Sequence, residues 1–325
     1  MTVETVDYHT AGEPFRIVTG GVRPLRGGTI LARRRDALEH LDDVRRLLVN
    51  EPRGHADMYG CFVTEPEDDG ADLGVVFFHN EGYSTACGHG TIALVTWALE
   101  SGRLPAPEAG EAEVVVDAPS GRLRCVAVCH DGRVESVRFR NVPSFVLATG
   151  VTIGELVLDV AYGGAFYASL DVASLGLRVA AADLPRLIAL QRELRPAIEA
   201  ALDVVHPLEP ELRGIYGVIF HEEESGGAQR NVAVFADGEV DRSPCGSGTS
   251  ARLALLYAQG RLGVGDPFRH LSIVDTEFTG RIVAETEVAG RPAVVTEVEG
   301  SAYLTGRHQF VLSPNDPLGT GFLLR

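Results

Sequence analysis

The apolar positions of this chain fall mostly in short alternating or continuous runs, a spacing that predicts strands. Residues 3–8 and 15–18 flank a turn at Ala11-Gly12-Glu13-Pro14. Residues 73–78 are continuously apolar over a strand's length, which predicts a buried strand. Residues 113–117, 122–129 and 134–140 predict a meander with turns at Pro119-Ser120-Gly121 and Asp131-Gly132. Further strands are expected at 156–160 and 231–236, and the tail returns to strands through Val311. Helical spacing takes over in four places. Asp36 is expected to cap a helix carrying Leu38, Leu41, Leu47 and Leu48, ended by Pro52. Asp183 opens a long pattern to about Leu202, with a bend expected at Pro196. The stretches 90–99 and 248–258 are apolar around the whole helix, the mark of a helix buried on every side. The polar stretch 222–230 reads as a surface loop, with Glu222, Glu223 and Glu224 solvated.

The two apolar helices belong to a repeat. CGHGTIALVTWALESGRL, from Cys87, aligns without gaps to CGSGTSARLALLYAQGRL, from Cys245, at an offset of 245 − 87 = 158 residues. The shared positions are the Cys, two Gly, a Thr, an Ala and a closing Gly-Arg-Leu. Self-similarity at about half the chain's 325 residues predicts two similar domains, each with a loop, a cysteine and a central helix.

Composition narrows the chemistry. All 29 basic residues other than histidine are Arg, so no lysine is available for a pyridoxal-phosphate imine, an aldolase-type imine or a P-loop. The net charge of −16 repels phosphate backbones and argues against a nucleic-acid partner. With no apolar run of membrane-spanning length and no basic, apolar signal region in MTVETVDYHT, the expectation is a cytoplasmic protein without a membrane partner. The five cysteines are odd in number and widely spread, which suits reduced thiols.

Each repeat places a cysteine just before a helix N-terminus. First-turn N–H groups lack intrahelical acceptors, and the helix dipole is positive there, so such an end favours a carboxylate and a thiolate. Two such ends facing across a cleft would hold one carboxylate and set a sulfur on each face of the carbon beside it. That arrangement suits inversion at an amino-acid Cα, with one thiolate removing the proton and the opposite thiol returning one.

Five spaced motifs extend this reading. They are DYHTAGEPFRIV, EPRGHADMYG at 51–60, GYSTACGHGTIA at 82–93, YGGAFYA at 162–168 and DRSPCGSGTSAR at 241–252, with DPLGTGFLL near the end. Through them the chain resembles the proline racemase family over essentially its full length. The resemblance implies a mixed α/β (α+β) fold of two pseudo-symmetric domains like those of diaminopimelate epimerase. Each would wrap a twisted, mostly antiparallel sheet round a central helix. Residues 1–145 with about 305–325 would form the half carrying Cys87, and residues 146–304 the half carrying Cys245. It also implies no cofactor, no metal and a homodimer acting on a small imino acid. By position, Cys87 and Cys245 match the acid/base cysteines. Gly88, His89, Gly246 and Ser247 match the groups that hold the substrate carboxylate, Asp241 the residue that receives the ring amine, and Tyr59 and Phe235 the positions flanking the ring.

The family resemblance brings three activities: proline racemisation, 2-epimerisation of 4-hydroxyproline, and dehydration of trans-3-hydroxy-L-proline. Dehydratases of this type often carry Thr where Cys245 stands, so the second cysteine favours a racemase or epimerase. Two features point toward the dehydratase, with Cys87 as base. The stretch His79-Asn80-Glu81-Gly82-Tyr83-Ser84 resembles that branch, and Tyr59 stands where proline racemases tend to have Phe. A non-catalytic binding protein that kept the fold is a third class. Cys61, Cys125 and Cys129 are expected to be structural, His9 and His55 to serve turns, and Arg53 to form an ion pair.

Overall fold

The computed structural model describes residues 1–324 and divides into two compact units. One comprises Met1–Val137 with the returning chain from Ser301, and the other comprises Arg138–Gly300.

In the first unit, the strand Ala302–Val311 pairs antiparallel with Thr2–Thr10, which pairs antiparallel with Glu13–Gly20. The sheet continues through Tyr59–Thr64 (parallel), Leu73–His79 (antiparallel), Gly110–Ala118 (parallel) and Gly121–His130 (antiparallel). The helix Gly88–Glu100 packs on one face of this sheet and is buried from Gly88 to Leu99. Against the other face lie the helices Ile30–His40 and Asp42–Val49, whose Ile30, Ala37, Val44 and Leu47 join Val18, Phe62, Val76 and Phe78 in one cluster. Covered on both faces, Leu73–His79 is buried at all seven positions, which explains its unbroken apolar run.

The expected helix capped by Asp36 is two helices. Thr29 caps the first, its hydroxyl accepting from the Ala32 N–H, and the chain breaks helical geometry at Leu41 (φ −125°) before restarting. Asp36 lies within the first helix, where its carboxylate accepts from Arg23 and from the Arg26 N–H and is held below the usual range, chiefly by the Arg23 hydrogen bond. A residue with good capping chemistry was thus drawn to a distant arginine, which period alone does not reveal.

In the second unit the ladder runs Ser144–Ile153, Leu156–Tyr162, Phe166–Asp171, Ile215–Glu223, Gln229–Phe235, Pro267–Ser272, Glu277–Val288 and Arg291–Gly300. It then returns to its first strand through Ala293↔Phe145 and Val294↔Ser144. The helix Gly246–Ala258 is buried from Gly246 to Leu256 and contacts strands from both ends of the ladder. A second helix, Leu184–Ala201, packs on Ile215–Glu223 and Gln229–Phe235, is preceded by Asp183 and runs through Pro196.

Residues 222–230 are only in part the expected surface loop: residues 225–227 are exposed at its tip, while the flanking residues belong to strands. They form a hairpin whose Glu222 and Gln229 are buried, and each of the three glutamates has an arginine partner. These are Arg178 for Glu222, Arg261 for Glu223 and Arg230 for Glu224. Pairing along the strand, rather than composition, decided their exposure.

Candidate functional site

Cys87 is the N-cap of the first central helix. Its backbone is extended (φ −154°), and its sulfur accepts from the Gly90 N–H at 3.3 Å. Both ring nitrogens of His89 lie 3.5 Å from the sulfur, so the imidazole packs directly against it. The His89 ring meets Tyr59 and Phe15 edge-on at 5.0 Å and 5.6 Å. Thr10 anchors the turn by donating to the His89 carbonyl at 2.9 Å. Gly90 must be glycine, because a Cβ there would lie 2.3 Å from the Phe15 ring and 2.7 Å from the Cys87 sulfur. Tyr59, at the start of its strand, is buried and its phenol donates to the Ser84 hydroxyl.

Cys245 heads the second central helix in a different conformation. Its φ is +64°, the left-handed region, which costs a non-glycine residue about 1–3 kcal/mol. The sulfur lies 3.5 Å from the Tyr167 phenol oxygen and 4.0 Å from Ser247 Oγ, and those two oxygens are 2.7 Å apart. Asp241 belongs to the same group: its Oδ1 accepts from the Ser243 N–H at 2.8 Å, and its carboxylate is close enough to the Cys245 thiol to act on it electrostatically. Burial pushes Asp241 up to about 6. Burial first, and then the Asp241 charge, push the Cys245 thiol well above the ordinary range, so it rests protonated. Phe235 and Asp241 face the same side of their ladder, since Asp241 opposes Ala233, and the Phe235 ring stacks on Tyr216 at 5.2 Å. Tyr216 in turn meets Tyr167 edge-on at 5.6 Å.

The residues singled out from the sequence therefore gather in two groups. Cys87, Gly88, His89 and Tyr59 surround one helix N-terminus, and Cys245, Gly246, Ser247 and Asp241 the other, with Phe235 joined to the second through Tyr216 and Tyr167. Sequence reasoning passed over Tyr167, Ser243 and Ser84. All three lie inside the motifs YGGAFYA, DRSPCGSGTSAR and GYSTACGHGTIA, so the signal was there, but nothing in spacing says that these side chains meet a sulfur or a phenol.

The other cysteines are core. Cys61, Cys125 and Cys129 are buried, none of the five is in a disulfide, and burial raises all three thiols. His9 accepts from the Gly12 N–H across its turn, and Arg53 pairs with Asp316 at 2.6 Å. Among the described residues, no His/Cys/Asp/Glu group could hold a metal ion, and no helix is long and apolar enough to cross a membrane.

Residues 5–323 match the proline racemase family model. A trans-3-hydroxy-L-proline dehydratase of Bacillus cereus is 48% identical, covering 98% of this chain and 97% of that one. A 3-hydroxyproline 2-epimerase of Burkholderia multivorans is 46% identical, covering 100% and 98%. The crystal structure of a hydroxyproline epimerase from Agrobacterium vitis, with bound trans-4-OH-L-proline, superposes with a TM-score of 0.93 at 36% identity, covering 99% of this chain and 96% of that one. The chain belongs to the proline racemase family, shares its mixed α+β fold, and is an enzyme of that type.

Proposed function

From that membership we propose that the chain is a cofactor-independent 2-epimerase of hydroxyproline, with Cys87 and Cys245 as its acid–base pair. The observation that carries the reading is the duplicated half-site: each thiol stands at the head of a buried helix whose first-turn amides favour a carboxylate. One thiolate takes the Cα proton, the electrons of the broken C–H bond move into the carboxylate as an enediolate, and the other thiol returns a proton from the opposite face. Donors at the helix ends stabilise the enediolate as its charge develops. Cys245, held as a thiol, suits delivery of a new proton to Cα, and Cys87 beside His89 suits removal of the one already there. The pair exchanges roles in the reverse direction and titrates as a unit. Gly88, His89, Gly246 and Ser247 would receive the carboxylate, Asp241 the ring amine, and Tyr59 and Phe235 the ring.

A second reading, trans-3-hydroxy-L-proline dehydration, is favoured by the 48% identical dehydratase. There Cys87 removes the Cα proton, the Cβ–O bond breaks, the hydroxyl leaves with a proton as water, and the enamine becomes an imine. Retention of Cys245 favours the first reading.

Incubation in deuterated water with L-proline, trans-4-hydroxy-L-proline and trans-3-hydroxy-L-proline separates the two. The expected result is Cα deuteration with inversion of a hydroxyproline. Loss of water from the 3-hydroxy substrate, with no inversion of any of the three, would establish the dehydratase instead. We also propose a homodimer in a reducing cytoplasm. The disulfide-free cysteines support the compartment, and sedimentation equilibrium tests the dimer.

A further inference from the structure

The peptide group joining Pro244 to Cys245 is held at both ends. Its carbonyl accepts from Asn231 Nδ2 at 3.1 Å and from Thr249 Oγ1 at 3.4 Å, and its N–H donates to Ser243 Oγ at 3.0 Å. Thr249 Oγ1 also makes a 2.8 Å hydrogen bond with His270 Nδ1, which fixes the hydroxyl against the neighbouring strand. Asn231 also donates to the Leu271 carbonyl at 3.2 Å, beside His270 on the same strand. Asn231, Ser243, Thr249 and His270 are wholly buried. They come from separate elements: Asn231 from Gln229–Phe235, His270 from the parallel neighbour Pro267–Ser272, and Thr249 from the first turn of the helix.

This clamp sits where the backbone needs restraint. An L-residue resists φ near +64°, and relaxation to negative φ would swing the sulfur. The first half-site has no such strain at its cysteine. Thr91, which matches Thr249 in the repeat, donates to the carbonyl of Cys87 itself at 2.8 Å, with Cys87 at φ −154°. The same threonine therefore serves its own helix in one unit and the residue before the cysteine in the other.

The geometry points to Asn231, Thr249 and His270 as positioning residues that hold Cys245 in its left-handed conformation and so aim its sulfur. This assignment rests on the reading of Cys245 as one of two acid–base thiols. Burial, and secondarily Arg252, hold His270 down to about 3, so the imidazole is neutral through the working range and the clamp does not titrate there.

The test follows inversion and Cα exchange in deuterated water, from both epimers of the hydroxyproline that the wild type inverts, in Thr249→Val, His270→Ala, Thr249→Ser and Cys245→Ser. Misplacing one sulfur should lower kcat for inversion about 10- to 100-fold in Thr249→Val and His270→Ala. KM should stay within about twofold. Exchange from one epimer, served by Cys87, should persist, and Thr249→Ser, which keeps the hydroxyl, should restore most of the rate. Equal loss of exchange from both epimers, a rise in KM with kcat intact, or a Thr249→Ser as slow as Thr249→Val would overturn the assignment. Full-rate inversion in Thr249→Val and His270→Ala, with inversion lost in Cys245→Ser, removes the assignment alone. Full-rate inversion in Cys245→Ser removes the two-thiol reading and the assignment with it.

Discussion

The two half-sites begin from an eighteen-residue repeat that is identical at eight positions, four of them in the first five, and arrive at different environments. Cys87 lies in relaxed, extended backbone as an ordinary N-cap, with an imidazole against its sulfur. Cys245 lies in strained, left-handed backbone, with two hydroxyl groups and a buried carboxylate around its sulfur. The only difference between the repeats in the first five positions is His89 against Ser247. The remaining contrast comes from elements that the repeat does not include: Tyr59 and Phe15 on one side, Tyr167, Asp241, Asn231 and His270 on the other. A duplicated thiol is thus given distinct surroundings, an imidazole against one sulfur and hydroxyl groups with a carboxylate around the other.

The largest effect should come from removing either sulfur. Cys87→Ala and Cys245→Ser should each lower inversion by about 10³-fold or more, as loss of a general acid or base does. Measured kcat for both epimers checks this, and a variant that keeps a tenth of the wild-type rate would break the comparison, since that sulfur would not be half of a pair.

Asp241 offers a stability test specific to the second half-site. Its folded value of about 6 lies above the ordinary 3.8, so the folded state holds its proton more tightly than the unfolded chain does. Its contribution is therefore neutral below pH 3.8 and becomes a growing penalty as pH rises from 3.8 to 6. Above that it is constant at about 3 kcal/mol by linkage. Asp241→Asn keeps the acceptor for the Ser243 N–H. Its stability relative to wild type should increase from pH 4 to pH 6 and then level off, as read by urea unfolding at each pH. A difference that is flat across that window would mean the carboxylate is not desolvated.

The smallest effect compares two glycines. A Cβ at Gly90 would meet the Phe15 ring at 2.3 Å, whereas at Gly248 it would meet Cys245 Sγ at 2.9 Å and Ile219 Cδ1 at 3.0 Å. Gly90→Ala should cost the upper part, and Gly248→Ala the lower part, of the ~1–3 kcal/mol that overpacking brings. Thermal unfolding of the two variants gives the order, and the reverse order would show that the first half-site is the more yielding.

Much of this molecule was legible from one dimension. All-round apolar stretches announced two buried helices, because a helix with no polar face has nowhere to lie but inside. The repeat put a cysteine at the head of each, and helix-end electrostatics then followed from covalent geometry. The unbroken apolar run ending at Phe78 likewise announced a strand covered on both faces. Other features were not legible. The helix expected to start at Asp36 starts after Thr29, and the acidic stretch at 222–224 is paired and partly buried, because in both cases an arginine distant in sequence supplied the partner. Local pattern encodes which side of an element faces inward. It does not encode which elements become neighbours, so the left-handed turn at Cys245, the clamp on Pro244 and the meeting of Tyr167 with Ser247 were decided only when strands far apart in the chain were laid against the same helix.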